Sequence, residues 1–264
     1  MKPRITRTVT GLLACVLGCQ SAPTLDRTPK PITGAFVSIT WRNCREDWQT
    51  TLDSYPFDTL VLGRFDAVPV DPTREILREC QMRDIQVWLQ LRPGVEQAEA
   101  MEFASAPIHG WYLTEEVYGY RWPFSALAYN ARTKSWTKHL KSLRNVPVMA
   151  SPIPTGDDTW GTLLPGSGID VLAIQCNNGA AGTVPSTRER DYLRIYRAAK
   201  RAGIEVWGNV ESFDLAVDGV GIGNGLEPTT RARLDQRIAA LSPYSSRLIT
   251  FEWWHYYRYI GAGS

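Results

Sequence analysis

The sequence contains few of the residues that metal and redox sites require. It has three histidines and five cysteines in 264 residues. None of them forms a His-Glu-x-x-His or Cys-x-x-Cys set. No apolar run approaches the roughly 20 residues that a transmembrane helix needs. We therefore expect no metal and no cofactor, and no span across a membrane.

An excess of charge of one sign is also missing. The chain has 29 Lys and Arg against 27 Asp and Glu. Its first 18 residues include Lys2, Arg4 and Arg7 but no acid, so 26 basic and 27 acidic residues remain after them. Nucleic-acid binding requires clustered basic residues, and we therefore predict no nucleic-acid partner.

The N-terminus has the pattern of a secretory signal. The three basic residues precede a short apolar run, 11–18, that ends in small residues. The tetrad Val16-Leu17-Gly18-Cys19 resembles a bacterial lipobox. That resemblance implies cleavage before Cys19 and lipid attachment there, and Gln20 after it favours the outer membrane. A plain signal peptide cleaved nearby is the alternative.

These features divide the chain into a signal peptide (1–18), a tether (19–31) and one domain (32–260). The tether is rich in proline and polar residues. We expect an exported protein that contacts the membrane only through its lipid. In such an oxidising compartment one disulfide among Cys44, Cys80 and Cys176 is possible.

The domain alternates between β-branched apolar runs and segments of helical period, which indicates a parallel sheet built from βα units. Eight runs are predicted as strands: 34–40, 59–63, 85–91, 108–113, 146–150, 169–175, 204–210 and 247–251. Helices are predicted near 44–55, 72–83, 94–104, 123–142, 157–164, 187–202 and 229–241. Asp71 is the expected N-cap of the second helix, with Pro72 in its first turn.

Eight repeats in about 230 residues favour a closed (β/α)₈ TIM-type barrel over an open doubly wound sheet. The last helix is expected to be missing or reduced to a turn at 256–259. Active sites of such barrels lie at the C-terminal ends of the strands. The residues that follow each run are therefore the candidates for function.

Glutamates follow three of these runs, and the one after the eighth, Glu252, is predicted to be a binding residue. Glu115 and Glu116 come after the fourth, and Glu211 comes after the seventh. Glycoside hydrolysis needs two carboxyl groups on either side of the scissile bond, one as acid and one as nucleophile or base. The sequence therefore predicts a glycoside hydrolase.

Polar and aromatic residues near the same strand ends are candidates for binding a sugar. The chain has ten Trp and eleven Tyr, and aromatic rings can stack on sugar faces. Trp88 and Trp207 lie inside strands and are predicted to pack the barrel, and Trp111 is either core or platform. The predicted substrate-binding residues are Trp41, Gln90, Arg92, Tyr112, Gln175, Asn177, Asn209, Glu252, Trp253, His255 and Tyr256.

Several of these stretches resemble one family. Residues 110–116 (GWYLTEE) and 202–211 (AGIEVWGNVE) are similar to the strand-four and strand-seven motifs of DUF4434, a family of glycosidase-like barrels. Further likeness lies in 147–152, 168–175 and 251–256, and the resemblance spans 34–260. It implies that Glu116 is the acid/base and Glu211 the nucleophile. Thr114 and Cys176 depart from the family, which usually has proline and an acidic residue there.

Glu115 is the alternative to Glu116. Adjacent residues of an extended segment point to opposite sides, so only one of the two is expected to face the barrel mouth. The resemblance favours Glu116, although the geometry of a strand end can re-aim a side chain.

We therefore expect an enzyme that cleaves O-glycosidic bonds of an exopolysaccharide or envelope glycan, with a retaining mechanism. The alternative is a non-catalytic glycan-binding lipoprotein of a polysaccharide export or assembly system, with other envelope proteins as partners. A structural envelope protein with an empty barrel is a third reading.

Overall fold

A computed structural model describes nine stretches of the chain: 25–39, 47–64, 68–90, 96–115, 126–151, 160–175, 189–215, 226–253 and 256–260. Eight parallel strands close into a barrel in the order β1-β10-β7-β6-β5-β4-β3-β2. They are β1 (Ile32–Ile39), β2 (Thr59–Arg64), β3 (Gln86–Gln90), β4 (Gly110–Glu115), β5 (Val148–Ser151), β6 (Val171–Gln175), β7 (Glu205–Glu211) and β10 (Arg247–Phe251). The predicted TIM-type barrel is confirmed.

Helices connect the strands around the outside of the barrel. They are α1 (Trp48–Asp53), α2 (Val70–Met82), α3 (Glu96–Glu102), α4 (Ala126–Leu143), α5 (Trp160–Leu163), α6 (Glu189–Arg201) and α7 (Arg231–Leu241), with short 3₁₀ turns at Ser242–Tyr244 and Tyr257–Tyr259. The second of these turns follows the last barrel strand in place of an eighth helix. The expected reduction of that helix is therefore confirmed.

The predicted start of α2 is wrong. The helix begins at Val70 after Pro69, and no side chain caps it. Asp71 instead lies within the first turn, where its charge still interacts favourably with the helix dipole. Pro72 is compatible with this earlier start, because a proline in the first turn of a helix has a helical φ and would have no partner there for a backbone N–H.

The barrel interior is filled by one apolar cluster, which we call the interior cluster: Phe36, Val61, Trp88, Tyr112, Met149, Val171, Ala173, Trp207 and Ile249. The rings of Trp88 and Trp207 meet edge to face with centroids 5.4 Å apart. Their predicted role in barrel packing is confirmed. Gly110 makes room for this cluster, since a Cβ there would collide with the Trp88 ring.

A short antiparallel hairpin follows β7 and was not expected from the sequence. It consists of β8 (Phe213–Leu215) and β9 (Leu226–Pro228). Phe213 pairs with Pro228, and Leu215 pairs with Leu226. The hairpin extends the chain beyond the C-terminal end of the barrel directly after Glu211.

The described part of the predicted tether lies against the barrel. Lys30 donates its backbone N–H to Ser242 Oγ at 2.9 Å, and Arg27 pairs with Glu189 at 2.9 Å. No helix among the described residues is long and apolar enough to cross a membrane. Cys19, the predicted lipid attachment site, lies outside the described residues.

Cys80 is a free thiol in the core and is fully buried. Burial raises the pKa of this thiol to about 12, so it stays protonated and unreactive at neutral pH. The other two cysteines considered for a disulfide, Cys44 and Cys176, lie outside the described residues. Cys80 is paired with neither of them.

Candidate functional site

Polar side chains replace the aromatic ones at the C-terminal end of the barrel interior. Successive residues of a strand alternate between faces, so the positions two residues beyond the interior cluster also face inward. These positions are occupied by polar residues, which we call the polar ring: Gln90, Ser151, Gln175 and Asn209, with Glu211 one step further out. All five are largely buried.

Glu211 is the last residue of β7, and its exposed fraction is 8%. Its Cα pairs with that of Phe251, whose ring packs against the interior cluster. Paired residues of neighbouring strands lie on the same face of a sheet. Glu211 therefore lies on the inner face of the barrel, at its C-terminal rim, as the sequence predicted.

The backbone around Glu211 is held from α7. The guanidinium of Arg237 donates to the carbonyl oxygens of Glu211 at 2.8 Å and Phe213 at 3.0 Å. On the other side, Ser212 donates its N–H to Phe251 O at 2.7 Å. These contacts hold the main chain at Glu211 and at the two residues after it, and they fix where β7 presents Glu211.

Arg237 is itself buried beside Asp214 of the hairpin, and the two form an ion pair. Arg233 also lies 2.9 Å from the Asp214 carboxylate, and Thr229 donates to it at 2.7 Å. Burial by itself raises the pKa of Asp214, but these hydrogen bonds and cations outweigh it and hold the pKa below its ordinary value. Asp214 is therefore ionised at neutral pH and fixes Arg237 under Glu211.

Asn209 lies two residues before Glu211 and has an exposed fraction of 2%. Its side-chain Nδ2 donates to Ser151 Oγ at 3.3 Å. Ser151 Oγ donates in turn to Ala173 O at 2.7 Å. Asn209 Oδ1 has no hydrogen-bond partner among the described residues.

Gln90 and Gln175 complete the described part of the ring. Gln90 is 1% exposed, and its Oε1 also lacks a partner within the described stretches. Its amide occupies the space above Gly63, where β2 has no side chain. Gln175 pairs with Asn209 through their Cα positions. The structure thus brings three predicted binding residues to the inner face beside Glu211.

Glu252 lies just beyond β10 and is 2% exposed. Its Oε1 accepts the backbone N–H of Ser38 at 2.7 Å, so the carboxylate links the end of β10 to β1. The nearby Tyr256 is also buried, and burial together with the charge of Glu252 raises the pKa of its phenol to about 12. Tyr256 is therefore neutral at physiological pH.

Two predicted binding residues are placed in packed surroundings. Tyr112 is 1% exposed and belongs to the interior cluster, with its ring centroid 5.9 Å from that of Phe36. Trp253 is 5% exposed and packs edge-on against Tyr55 at 5.4 Å. Trp111 is completely buried on the outer side of the barrel wall. These rings are core residues, because apolar surface at these points is covered by neighbouring elements.

Glu115 is the last residue of β4, where the pairing with β5 is irregular. Tyr112 pairs with Met149, but Glu115 pairs with Ser151, so three steps on β4 match two on β5. The simple alternation of faces therefore cannot be counted through this point. Five predicted site residues lie outside the described residues: Trp41, Arg92, Glu116, Asn177 and His255.

Sequence reasoning missed two residues that organise the site, Ser151 and Arg237. Ser151 directly follows the fifth predicted strand, so its place at a strand end was a usable signal. Arg237 lies on the buried stripe of α7, three residues after Leu234 and four before Leu241. A charged residue within an apolar helical stripe indicates a buried ion pair. Within the described stretches, no group of three His, Cys, Asp or Glu side chains is arranged to hold a metal.

Solved structures similar to this chain are TIM-type barrels of several kinds. A candidate α-L-fucosidase from Bacteroides thetaiotaomicron VPI-5482 has a TM-score of 0.60 and 15% identity, with 88% of this chain and 91% of that chain covered. The tryptophan synthase α-subunit of Pyrococcus furiosus has a TM-score of 0.53 and 10% identity, over 86% and 87% of the two chains. The HpcH/HpaI aldolase of Desulfitobacterium hafniense DCB-2 has a TM-score of 0.50 and 13% identity, over 84% and 86%. At such identities the likeness shows the fold alone.

The sequence comparisons are more specific. No curated protein matches the chain significantly. The family described as "Domain of unknown function (DUF4434)" matches residues 94–260, which is more than half of the chain. The matched region includes the ends of β4 and β7 and therefore both predicted glutamate positions. This chain belongs to the DUF4434 family.

Proposed function

We propose that this protein is a glycoside hydrolase that cleaves O-glycosidic bonds, with Glu211 as one of its two reacting carboxyl groups. The observation that carries the proposal is the position of Glu211. It lies on the inner face of the barrel at the C-terminal end of β7, beside the polar ring, and its backbone is clamped by Arg237. This is the end of the barrel at which TIM-barrel enzymes have their active sites.

The second carboxyl group comes from the end of β4. Glu116 would protonate the leaving oxygen while Glu211 attacks the anomeric carbon and forms a glycosyl–enzyme bond. Glu116 would then remove a proton from the water that cleaves this bond. In a retaining enzyme the two carboxyl groups lie about 5–5.5 Å apart, against about 6.5–9.5 Å in an inverting enzyme. Glu115 is the alternative acid.

The proposed substrates are glycans of the cell envelope or an exopolysaccharide, because the N-terminal sequence predicts export and lipid attachment at Cys19. The fold likeness to a candidate α-L-fucosidase makes α-L-fucosides one class to include among the substrates tested. No cofactor takes part in the proposed reaction.

The first experiment measures release of 4-nitrophenol from a panel of 4-nitrophenyl glycosides that includes the α-L-fucoside, and of reducing ends from polysaccharides. Glu211→Gln should lower turnover of any substrate found by at least about 10³-fold, because the amide cannot act as nucleophile or base. Its unfolding free energy should stay close to that of the wild type. Turnover close to wild type in this variant would remove Glu211 from the mechanism.

A second experiment separates Glu116 from Glu115. Replacing the true acid by alanine should slow hydrolysis of a substrate with a poor leaving group far more than that of a 2,4-dinitrophenyl glycoside, which needs no protonation. Replacing the other glutamate should slow both substrates equally or not at all. Azide should restore turnover of the acid variant and give a glycosyl azide, while equal losses in both variants would contradict an acid at either position.

A non-catalytic glycan-binding protein is the second candidate. The buried amide atoms of the polar ring favour it as well as the hydrolase, because they suit a bound ligand whether or not a bond is cleaved. Glycan binding that is equal in the wild type and Glu211→Gln, with no turnover of any panel member, would support this function over hydrolysis.

A further inference from the structure

We propose that Asn209 is a fixed hydrogen-bond acceptor that selects a free hydroxyl or ammonium group of the sugar bound beside Glu211, and that Ser151 is the positioning residue that fixes it. This inference rests on the proposed function only in placing a sugar at this site. It assigns a role to Ser151, and it adds a chemical requirement on the ligand.

The orientation of the Asn209 amide follows from Ser151. A serine hydroxyl has one proton, and that of Ser151 is donated to Ala173 O at 2.7 Å. Toward Asn209 the hydroxyl therefore presents a lone pair, which the side-chain Nδ2 meets as donor at 3.3 Å. The reversed amide would place two acceptors against each other. Asn209 Oδ1 is thus directed away from Ser151.

This carbonyl oxygen is buried and has no partner among the described residues. A buried acceptor without a donor is costly, and native structures retain such groups mainly where a ligand or other function uses them. An incoming hydroxyl or ammonium group would supply the missing hydrogen bond. An ether, ester or amide oxygen at the same place would bring a second acceptor and be rejected.

The distance from Glu211 suits a ring substituent. Asn209 and Glu211 lie two residues apart on the same face of β7, and strands rise about 3.3 Å per residue. Their Cα atoms are therefore about 6.6 Å apart along the strand. A sugar whose anomeric carbon lies at Glu211 would place a hydroxyl or amino group of the same ring near Asn209 Oδ1.

The surrounding charges refine the ligand class. The carboxylates of Glu211 and Glu252 lie at this end of the barrel, and both are largely buried. Opposite charges attract more strongly in such a low-dielectric setting than in water. The charges therefore favour amino sugars over acidic ones, while the Asn209 acceptor favours a free donor over an acylated position.

The test uses binding, so that it is independent of turnover. The Glu211→Gln protein is titrated with an array of trisaccharides of neutral hexoses, deoxyhexoses, hexosamines and N-acetylhexosamines. For each bound glycan, monodeoxy and mono-O-methyl analogues are then compared. One position should be found at which loss of the donor weakens binding about 10- to 100-fold, the range expected for a hydrogen bond to a buried group.

Adding Asn209→Leu should weaken binding of the parent glycan by a similar factor and leave binding of the deoxy analogue unchanged, so that discrimination disappears. Gln81→Leu is the matched control, because it changes an exposed amide at the opposite end of the barrel. It should not change binding of the parent glycan or of the deoxy analogue. Equal weakening of both glycans by Asn209→Leu would overturn the proposal. Absence of binding to every array member would overturn it too.

Ser151 is tested by the ratio of the affinities for the parent glycan and its deoxy analogue. Ser151→Ala should reduce discrimination at that one position, because the amide is then free to turn its Nδ2 toward the ligand. Ser151→Thr retains the hydroxyl and should restore it. A purely structural role would lower stability in Ser151→Ala without changing the ratio, which would refute the positioning role. Turnover without discrimination would refute this inference alone, whereas discrimination without turnover would refute only hydrolysis.

Discussion

The two ends of the barrel differ in how completely their polar groups are hydrogen-bonded. At the N-terminal end, Arg247 donates to Thr59 Oγ1 at 2.7 Å and lies over the Trp207 ring at 5.2 Å. Glu205 there accepts from Trp207 Nε1 at 2.8 Å. At the C-terminal end, Asn209 Oδ1 and Gln90 Oε1 are more deeply buried than these groups yet have no partner among the described residues.

This difference separates stability from function. Paired groups at the N-terminal end stabilise the closed barrel, whereas unpaired buried amides at the other end cost stability and are of use only to a ligand. Between them lies the aromatic interior cluster, which isolates one end from the other. Substitutions at the two ends should therefore have separable effects.

The largest effect on stability is expected where the C-terminal end does use paired charges. Arg237→Met removes one of the two cations beside buried Asp214 and both bonds to the Glu211 and Phe213 carbonyl oxygens. It should lower the unfolding free energy by about 3 kcal/mol, because two buried carbonyl oxygens lose their donor and the buried carboxylate keeps only Arg233 as a counter-ion. Urea denaturation measures this loss. The released Glu211 backbone should also reduce any turnover.

Arg231→Met on the same helix is the matched control. Arg231 pairs with Asp235 at 3.0 Å, but both side chains are largely exposed. Such a pair contributes little, so the change should stay within about 0.5 kcal/mol. Equal losses of unfolding free energy in the two variants would show that Arg237 does not hold the backbone around Glu211.

A smaller effect is expected at the N-terminal end. Arg247→Met removes the bond to Thr59 and the contact with the Trp207 ring, and should cost about 1 kcal/mol. Glycan binding by this variant should equal that of the wild type, as titration would show. Weaker binding would break the separation between the two ends.

The smallest effect concerns His109, which lies just before β4 and whose ring is 5.4 Å from that of Trp88. Partial burial, together with the charge of Arg247, holds the pKa of His109 below its ordinary value. The unfolded chain therefore takes up its proton at a higher pH than the folded one. Stability from this group is complete above about pH 6.5 and declines as the pH falls below that value.

His109→Gln should remove this decline, so the wild type should lose a few tenths of a kcal/mol more than the variant between pH 7.5 and pH 5. The effect is small because the side chain is still partly in solvent. Urea denaturation at the two pH values measures it. A steeper decline in the variant than in the wild type would contradict the assigned direction.

Much of the fold could be predicted from local sequence. Most barrel strands are short runs rich in β-branched residues, and all but the last are followed by a segment of helical period. Trp88 and Trp207 could be assigned to the barrel because they lie in the middle of such runs. Glu211 could be placed because the C-terminal end of a strand is also the functional end of the fold.

Other features depended on contacts between distant segments. Tyr112 and Trp253 have aromatic side chains of the kind that stack on sugars, but neighbouring elements cover them, so they belong to the core. Asp71 does not cap α2, since the chain enters that helix after Pro69. The hairpin β8–β9 is joined to α7 through Asp214 and Arg237, and their separation of 23 residues gives no periodic signal.

By itself, the sequence determined the kind of fold and the strand that carries Glu211, because hydrophobic periodicity is a local property that each segment expresses alone. Only the tertiary structure decided which atoms are left unpaired. Ser151, Ala173 and Asn209 come from three different strands, and the direction of the Asn209 amide is set when barrel closure brings their hydrogen-bonding groups together.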